Sequence, residues 1–98
     1  MRHVRFDVAT LSVEGVPVVL KAAYLLVAEQ AGADELQWEC LAYALETAPI
    51  GPGRYRVDII TLDGRALHGP AVLVRSVEGA HVFRGDGTLQ GIGSGDLS

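Results

Sequence analysis

Twelve carboxylates, seven arginines, one lysine, three histidines and one cysteine are the charged or nucleophilic groups of this chain. The histidines, His3, His68 and His81, stand far apart, and no two have metal-ligand spacing. A hairpin turning at Glu78-Gly79 would put Ser76 opposite His81 and Val77 opposite Ala80, leaving His68 too distant to share a metal. A zinc site would also want a third ligand such as Asp86 or Cys40. No metal and no cofactor are expected. Cys40, between Trp38-Glu39 and Leu41-Ala42, reads as a buried inert thiol, because no neighbour supplies the positive charge a reactive thiolate needs. As the sole cysteine it cannot form an intramolecular disulfide.

Ser12 and Ser76 precede turns and lack the G-x-S-x-G context of an esterase nucleophile. Gly85-Asp86-Gly87 lacks the helix start, or the Lys and Ser/Thr, that a phosphate loop requires. The acidic residues are scattered, and no spacing selects an acid/base pair. Catalysis is not indicated. The groups that could hold a small ligand in a barrel interior are Trp38, Tyr55, Arg56, Arg75 and His81. A solvated sheet face is the simpler reading of the arginines.

The elements that must position these groups are announced by turns. Glu14-Gly15, Asp63-Gly64, Glu78-Gly79 and Asp86-Gly87 pair an acidic residue with glycine, and the first three separate runs rich in Val, Leu, Ile and aromatics. Glycine accepts the positive φ of tight hairpin turns. Val4, Phe6 and Val8 alternate with polar neighbours, then yield near Thr10 to Leu11 and Val13, as at a β-bulge. With a two-residue turn at Glu14-Gly15, Val13 faces Val16, Leu11 faces Val18, and Phe6 faces Ala23.

The run Val16–Ala28 is apolar on both alternating faces. Its Val19, Ala23, Leu25 and Val27 face, interrupted by Lys21, is the expected interface, since a strand apolar on both sides needs two covers. Gln30 to Asp34 reads as a loop. Leu36, Trp38 and Cys40 then alternate with Glu35, Gln37 and Glu39 before the pattern shifts to Leu41, Tyr43 and Leu45. A helix competes over 22–46, with Asp34 and Gln37 as a capping pair. Strands are the reading adopted, because the surrounding chain is plainly β.

Residues 47–53 form a Pro/Gly loop. Tyr55, Val57 and Ile59 mark a half-buried strand. The Asp63-Gly64 turn would set Leu62 against Arg65 and Asp58 against Gly69. Gly69-Pro70 then demands an edge or a bulge. The expected fold is all-β, a small antiparallel barrel or sandwich of about six strands with room for one helix within 22–46. A single domain should span 1–90, with 91–98 as a flexible tail.

Composition sets the partner classes. Hydrophobic residues make up 49% of the chain against 20% charged, a high apolar content for so small a domain. The net charge of −4 and the absence of a basic stripe disfavour nucleic acid. The early charges disfavour a signal peptide, and Val16–Ala28 is too short to span a bilayer. A bacterial, cytoplasmic protein is expected. The leading functional expectation is a non-catalytic interaction module that self-associates or docks on a protein partner through an apolar sheet face. The alternative is a small-molecule-binding barrel, or a modest enzyme, using an aromatic- and Arg/His-lined interior.

Overall fold

The computed structural model describes residues 2–32 and 35–97. Seven strands form: β1 (His3–Val13), β2 (Val16–Val18), β3 (Leu20–Ala28), β4 (Gln37–Ala44), β5 (Gly53–Thr61), β6 (Ala66–Val77) and β7 (Ala80–Gly85). All pair antiparallel in the order β2-β1-β3-β4-β7-β6-β5, and β1 also pairs with β5. That last pairing closes six strands into a barrel, which removes the exposed sheet edges of a sandwich. β2 is the extra strand, lying on β1 as the return arm of its hairpin.

No α-helix forms between Ala22 and Glu46 among the described residues. Asp34 of the expected capping pair, and residue 33 of the loop before it, lie outside the described residues, while Gln37, the other member of the pair, opens β4. The alternation Trp38, Cys40, Ala42, Ala44 runs inward without interruption, so the anticipated shift to Leu41, Tyr43 and Leu45 does not occur. Small alanines at the narrow interior had disguised the inward face. Leu41, Tyr43 and Leu45 lie on the outside.

Two hairpins turn as their sequences imply. Glu14-Gly15 and Glu78-Gly79 each have positive φ at both residues, the primed turn whose twist matches the strands. The Asp63-Gly64 hairpin is one residue longer than expected. Thr61 pairs with Arg65 around Leu62-Asp63-Gly64, and Gly64 takes φ 92°. The Thr61 hydroxyl donates to Asp63 and accepts the Arg65 N–H at 3.0 Å. This side-chain bonding stabilises the three-residue loop, so Asp58 meets His68 rather than Gly69. Asp86-Gly87 makes no hairpin; there the chain leaves β7, with the Asp86 N–H donating to the Pro70 carbonyl at 2.9 Å. The β7 pairing stops at Ala71, so Pro70 sits at a local edge.

Register irregularities bend three strands. β1 bulges at Ala9, β3 at Lys21, and β6 at Val74. Such bulges turn the corners of a small barrel. Along β2–β3 the pairing with β1 also slips by two residues, so Phe6 faces Leu25 instead of Ala23. The interior is packed with Leu11, Leu25, Ile59, Leu67 and Phe83, all fully buried.

Residues 91–97, expected as part of a flexible tail, pack on the barrel. Leu97 is buried with the core, and a 3-10 turn forms at Ser94–Asp96. Asp96 accepts from the Gly93 N–H and from Arg65 Nη1, each at 2.9 Å. Leu89 and the His68–Gln90 bridge anchor the preceding segment. Apolar Leu97 and Ile92 hold a stretch whose glycines suggested mobility.

Candidate functional site

The bulge at Lys21 decides which apolar side chains meet solvent. Leu20 pairs with inward Ala44, and Ala22 with outward Tyr43, leaving Lys21 as the extra residue. Parity therefore changes across it. Ala23, Leu25 and Val27 point into the core, at most 3% exposed, while Val19 points outward. The face chosen from sequence as an interface is thus mostly core, and the opposite face is the free one.

That outer face is largely apolar across four strands. Ala22, Tyr43, Ala80 and Val77 stand side by side; next come Tyr24, Leu41, Val82 and Arg75. A third row holds Leu26, Glu39, Arg84 and Val72. The bulge residue Val74 is also solvent-exposed. Cross-strand neighbours on one face lie about 5 Å apart, so these rows form one continuous wall. Arg5 borders it, its guanidinium 4.1 Å above the Tyr24 ring and 3.7 Å from Asp7. β1 beyond this border is polar on its outside, with His3, Asp7 and Thr10 exposed.

The five candidate ligand-binding residues do not converge. Arg56 and Arg75 are exposed on the outside of different strands, and Arg56 lies beside Asp58 at 3.9 Å. It is the Arg56 backbone that is engaged: its N–H donates to Glu14 Oε1 at 2.9 Å, docking the first turn on β5. Trp38 is 3% exposed and plugs one barrel end, its indole N–H donating to the Gly87 carbonyl at 2.9 Å. A groove of about 540 Å³ runs past it, between Leu26, Leu36, Glu39 and Arg84.

Tyr55 and His81 do share a site, at the other end of the barrel. There a cleft of about 350 Å³ opens between the β1–β2 hairpin and the 44–50 segment. Its walls are mainly Val13, Val16, Val18, Ala44 and Ile50, with Glu14 and Glu46 also present. The Tyr55 hydroxyl is turned back to the Gly51 carbonyl. His81 is 3% exposed, and its Nδ1 lies 2.8 Å from Ser76 Oγ. Burial lowers the His81 pKa, so the ring is held neutral.

Sequence pairing had placed Ser76 opposite His81, as observed. It had missed Ile50, whose N–H donates to the same Ser76 Oγ at 2.9 Å and ties the loop to the mouth. No local pattern marks that long-range contact. Cys40 is fully buried, and desolvation pushes its thiol up to about 12. Among the described residues, no three His, Cys, Asp or Glu side chains are placed to hold a metal. No described helix is long and apolar enough to cross a membrane. Comparison with protein-family models, with curated proteins and with solved structures finds no match for this chain.

Proposed function

We propose that this barrel is a non-catalytic interaction module that pairs with a second copy of itself through the outer wall of β3, β4, β7 and β6. The observation that carries this reading is the outward face of three cross-strand rows, apolar at nine of twelve positions with Arg75, Glu39 and Arg84 as the exceptions, on a barrel whose core is already complete. A sheet with both faces apolar calls for a cover on each. The charges on the wall favour a like partner. Glu39 and Arg84 are register neighbours and Arg5 is paired with Asp7, so these charges would not strongly repel a second copy; Arg75, exposed on β6, would sit at the rim of the contact, in solvent.

The wall is modest. Four strands about 4.8 Å apart and some five residues long give a flat footprint of about 300 Å² before side-chain relief is added. Stable interfaces typically bury about 800 Å² per partner, so association should be weak and concentration-dependent. A bacterial, cytoplasmic setting accompanies this reading on compositional grounds.

Sedimentation equilibrium over a wide concentration series tests it. The expected result is a reversible monomer–dimer equilibrium that Tyr43→Lys and Val74→Lys abolish while the circular dichroism spectrum is retained. Both side chains are exposed, so the fold should tolerate the changes. A strict monomer at millimolar concentration, or dimerisation unaffected by either lysine, would overturn the proposal.

A further inference from the structure

The mouth cleft carries an independent inference, resting on His81. A histidine so buried would ordinarily have both ring nitrogens satisfied. Nδ1 has Ser76 Oγ, but Nε2 has no hydrogen-bond partner among the described residues. No described buried side-chain nitrogen or oxygen is left sealed without a partner, so Nε2 must reach open space. The open space that His81 borders is the cleft.

The proton on that nitrogen follows from the bonding of Ser76. Its Oγ already accepts the Ile50 N–H, and its own hydrogen needs an acceptor. Nδ1 at 2.8 Å is the acceptor available. With Nδ1 as the acceptor of the Ser76 hydroxyl, the imidazole hydrogen sits on Nε2, the nitrogen that His81 has left to offer the cleft it lines. Held neutral by burial, the ring offers one fixed donor and no charge.

The surroundings select what that donor can meet. Val13, Val16, Val18, Ala44 and Ile50 favour an apolar body. Glu14 and Glu46 disfavour an anion. At about 350 Å³ the cleft falls in the lower range of small-molecule sites. We infer that the barrel mouth is a binding site for a small neutral, largely apolar molecule, whose single carbonyl oxygen accepts a hydrogen bond from His81 Nε2. The site lies at the barrel end, apart from the outer-wall rows, and does not depend on the self-association proposed above.

Three probes of one shape test the inference: 1-indanone, indane and indane-1-carboxylate, titrated into ¹⁵N-labelled protein by NMR. 1-Indanone should shift the amides of the 44–50 segment and the His81 ring, and bind about five- to tenfold tighter than indane, the worth of one net hydrogen bond. The carboxylate should bind more weakly than the ketone. His81→Phe should bring ketone and hydrocarbon to equal affinity. Because that change is buried, Ala48→Trp serves as a second variant, filling the cleft from an exposed loop position; it should weaken 1-indanone at least tenfold with the amide spectrum otherwise retained. Equal binding of ketone and indane to the unaltered protein would overturn the inference. So would shifts confined to the outer wall, undiminished binding to the Ala48→Trp protein, or a cleft that takes only water.

Discussion

Replacing Gly85 by alanine should release Trp38 from the barrel end. Continuing the β4–β7 register by one residue sets Gly85 opposite Trp38, and the indole lies over the bare glycine backbone. A Cβ at position 85 would stand 2.5 Å from indole Cδ1 and Cε2, and closer still to Nε1, where ordinary contacts are 3.4–4 Å. The ring would have to move by about 1 Å. It has little freedom, since a Cβ on neighbouring Gly69 would already stand 3.2 Å from Cζ2, and Nε1 is tied to the Gly87 carbonyl at 2.9 Å. Overpacking of this kind costs about 1–3 kcal/mol, and losing the indole hydrogen bond adds about 1 kcal/mol. The expected destabilisation is about 2–4 kcal/mol, a large part of a total stability of about 5–15 kcal/mol.

For a domain of this size that corresponds to a fall in Tm of roughly 10–25 °C. Trp38 is the only tryptophan, so its emission reports the site directly and should shift to the red in Gly85→Ala. The diagnostic measurement is a double-mutant cycle. Trp38→Phe shortens the ring and should make room for the new methyl group, so the double variant should be more stable than the sum of the singles by about 1–2 kcal/mol. Additive losses would refute the reasoning, as would a Gly85→Ala protein that melts at the unaltered temperature.

Glycines in the two primed turns offer a contrast between strain and crowding. Gly15 and Gly79 have φ of 79° and 86°, but a Cβ at 15 meets nothing within 4 Å, whereas one at 79 lies 2.9 Å from the Ala44 and Glu46 carbonyls. Gly15→Ala should cost about 1–2 kcal/mol from backbone strain, and Gly79→Ala clearly more, measured as urea midpoints. His81 should make stability pH-dependent. Its folded pKa is lowered by burial, so below about pH 6.5 the unfolded chain binds a proton that the fold resists. The stabilisation is full above that pH and declines as pH falls toward the folded value. Urea midpoints at about pH 7.5 and 5.5 should differ in that direction, and less so in His81→Phe. Cys40, with its thiol raised to about 12, should react with a thiol reagent only in denaturant; labelling of the native protein would contradict its burial.

Residues whose partners are close in sequence were legible before the fold was. Val13–Val16, Leu11–Val18, Val77–Ala80 and Ser76–His81 pair as their turn residues imply, because two-residue turns with an acidic residue and glycine fix the register locally. Legibility fails where a single extra residue intervenes. Leu62 joins its loop because Thr61 and Asp63 bond to each other, a contact that the Asp-Gly pair alone does not signal. The inward run through Ala42 and Ala44 was hidden for another reason. Alanine is a weak hydrophobic marker, and larger Leu41 and Tyr43 beside it carry the stronger but outward-facing pattern.

The same bulges govern how the candidate sites should be read. In an unbroken strand Val19 would share a face with Ala23, Leu25 and Val27, and all would be core or all would be free. Lys21 breaks that equivalence, sending Val19 out and Leu20 toward the interior. At Val74 a second bulge keeps Leu73 inside before the break and brings Ser76 inside after it. Ser76 can therefore meet His81 within the mouth, while Val74 and Arg75 both stay on the outer side opposite Val82. The first bulge thus turns Val19 out to the rim of the mouth cleft, and the second completes the polar pair at its base while exposing Val74 on the wall. Removing Lys21, or removing Val74, should return each strand to simple alternation. Because Leu20–Ala44 and Ala22–Tyr43, like Leu73–Phe83 and Arg75–Val82, already oppose consecutive partners, every remaining side chain would keep its face. The loss should be that of the corner bend alone, about 1–3 kcal/mol by urea midpoint; a collapse of the fold such as an inverted strand end would cause would refute the argument.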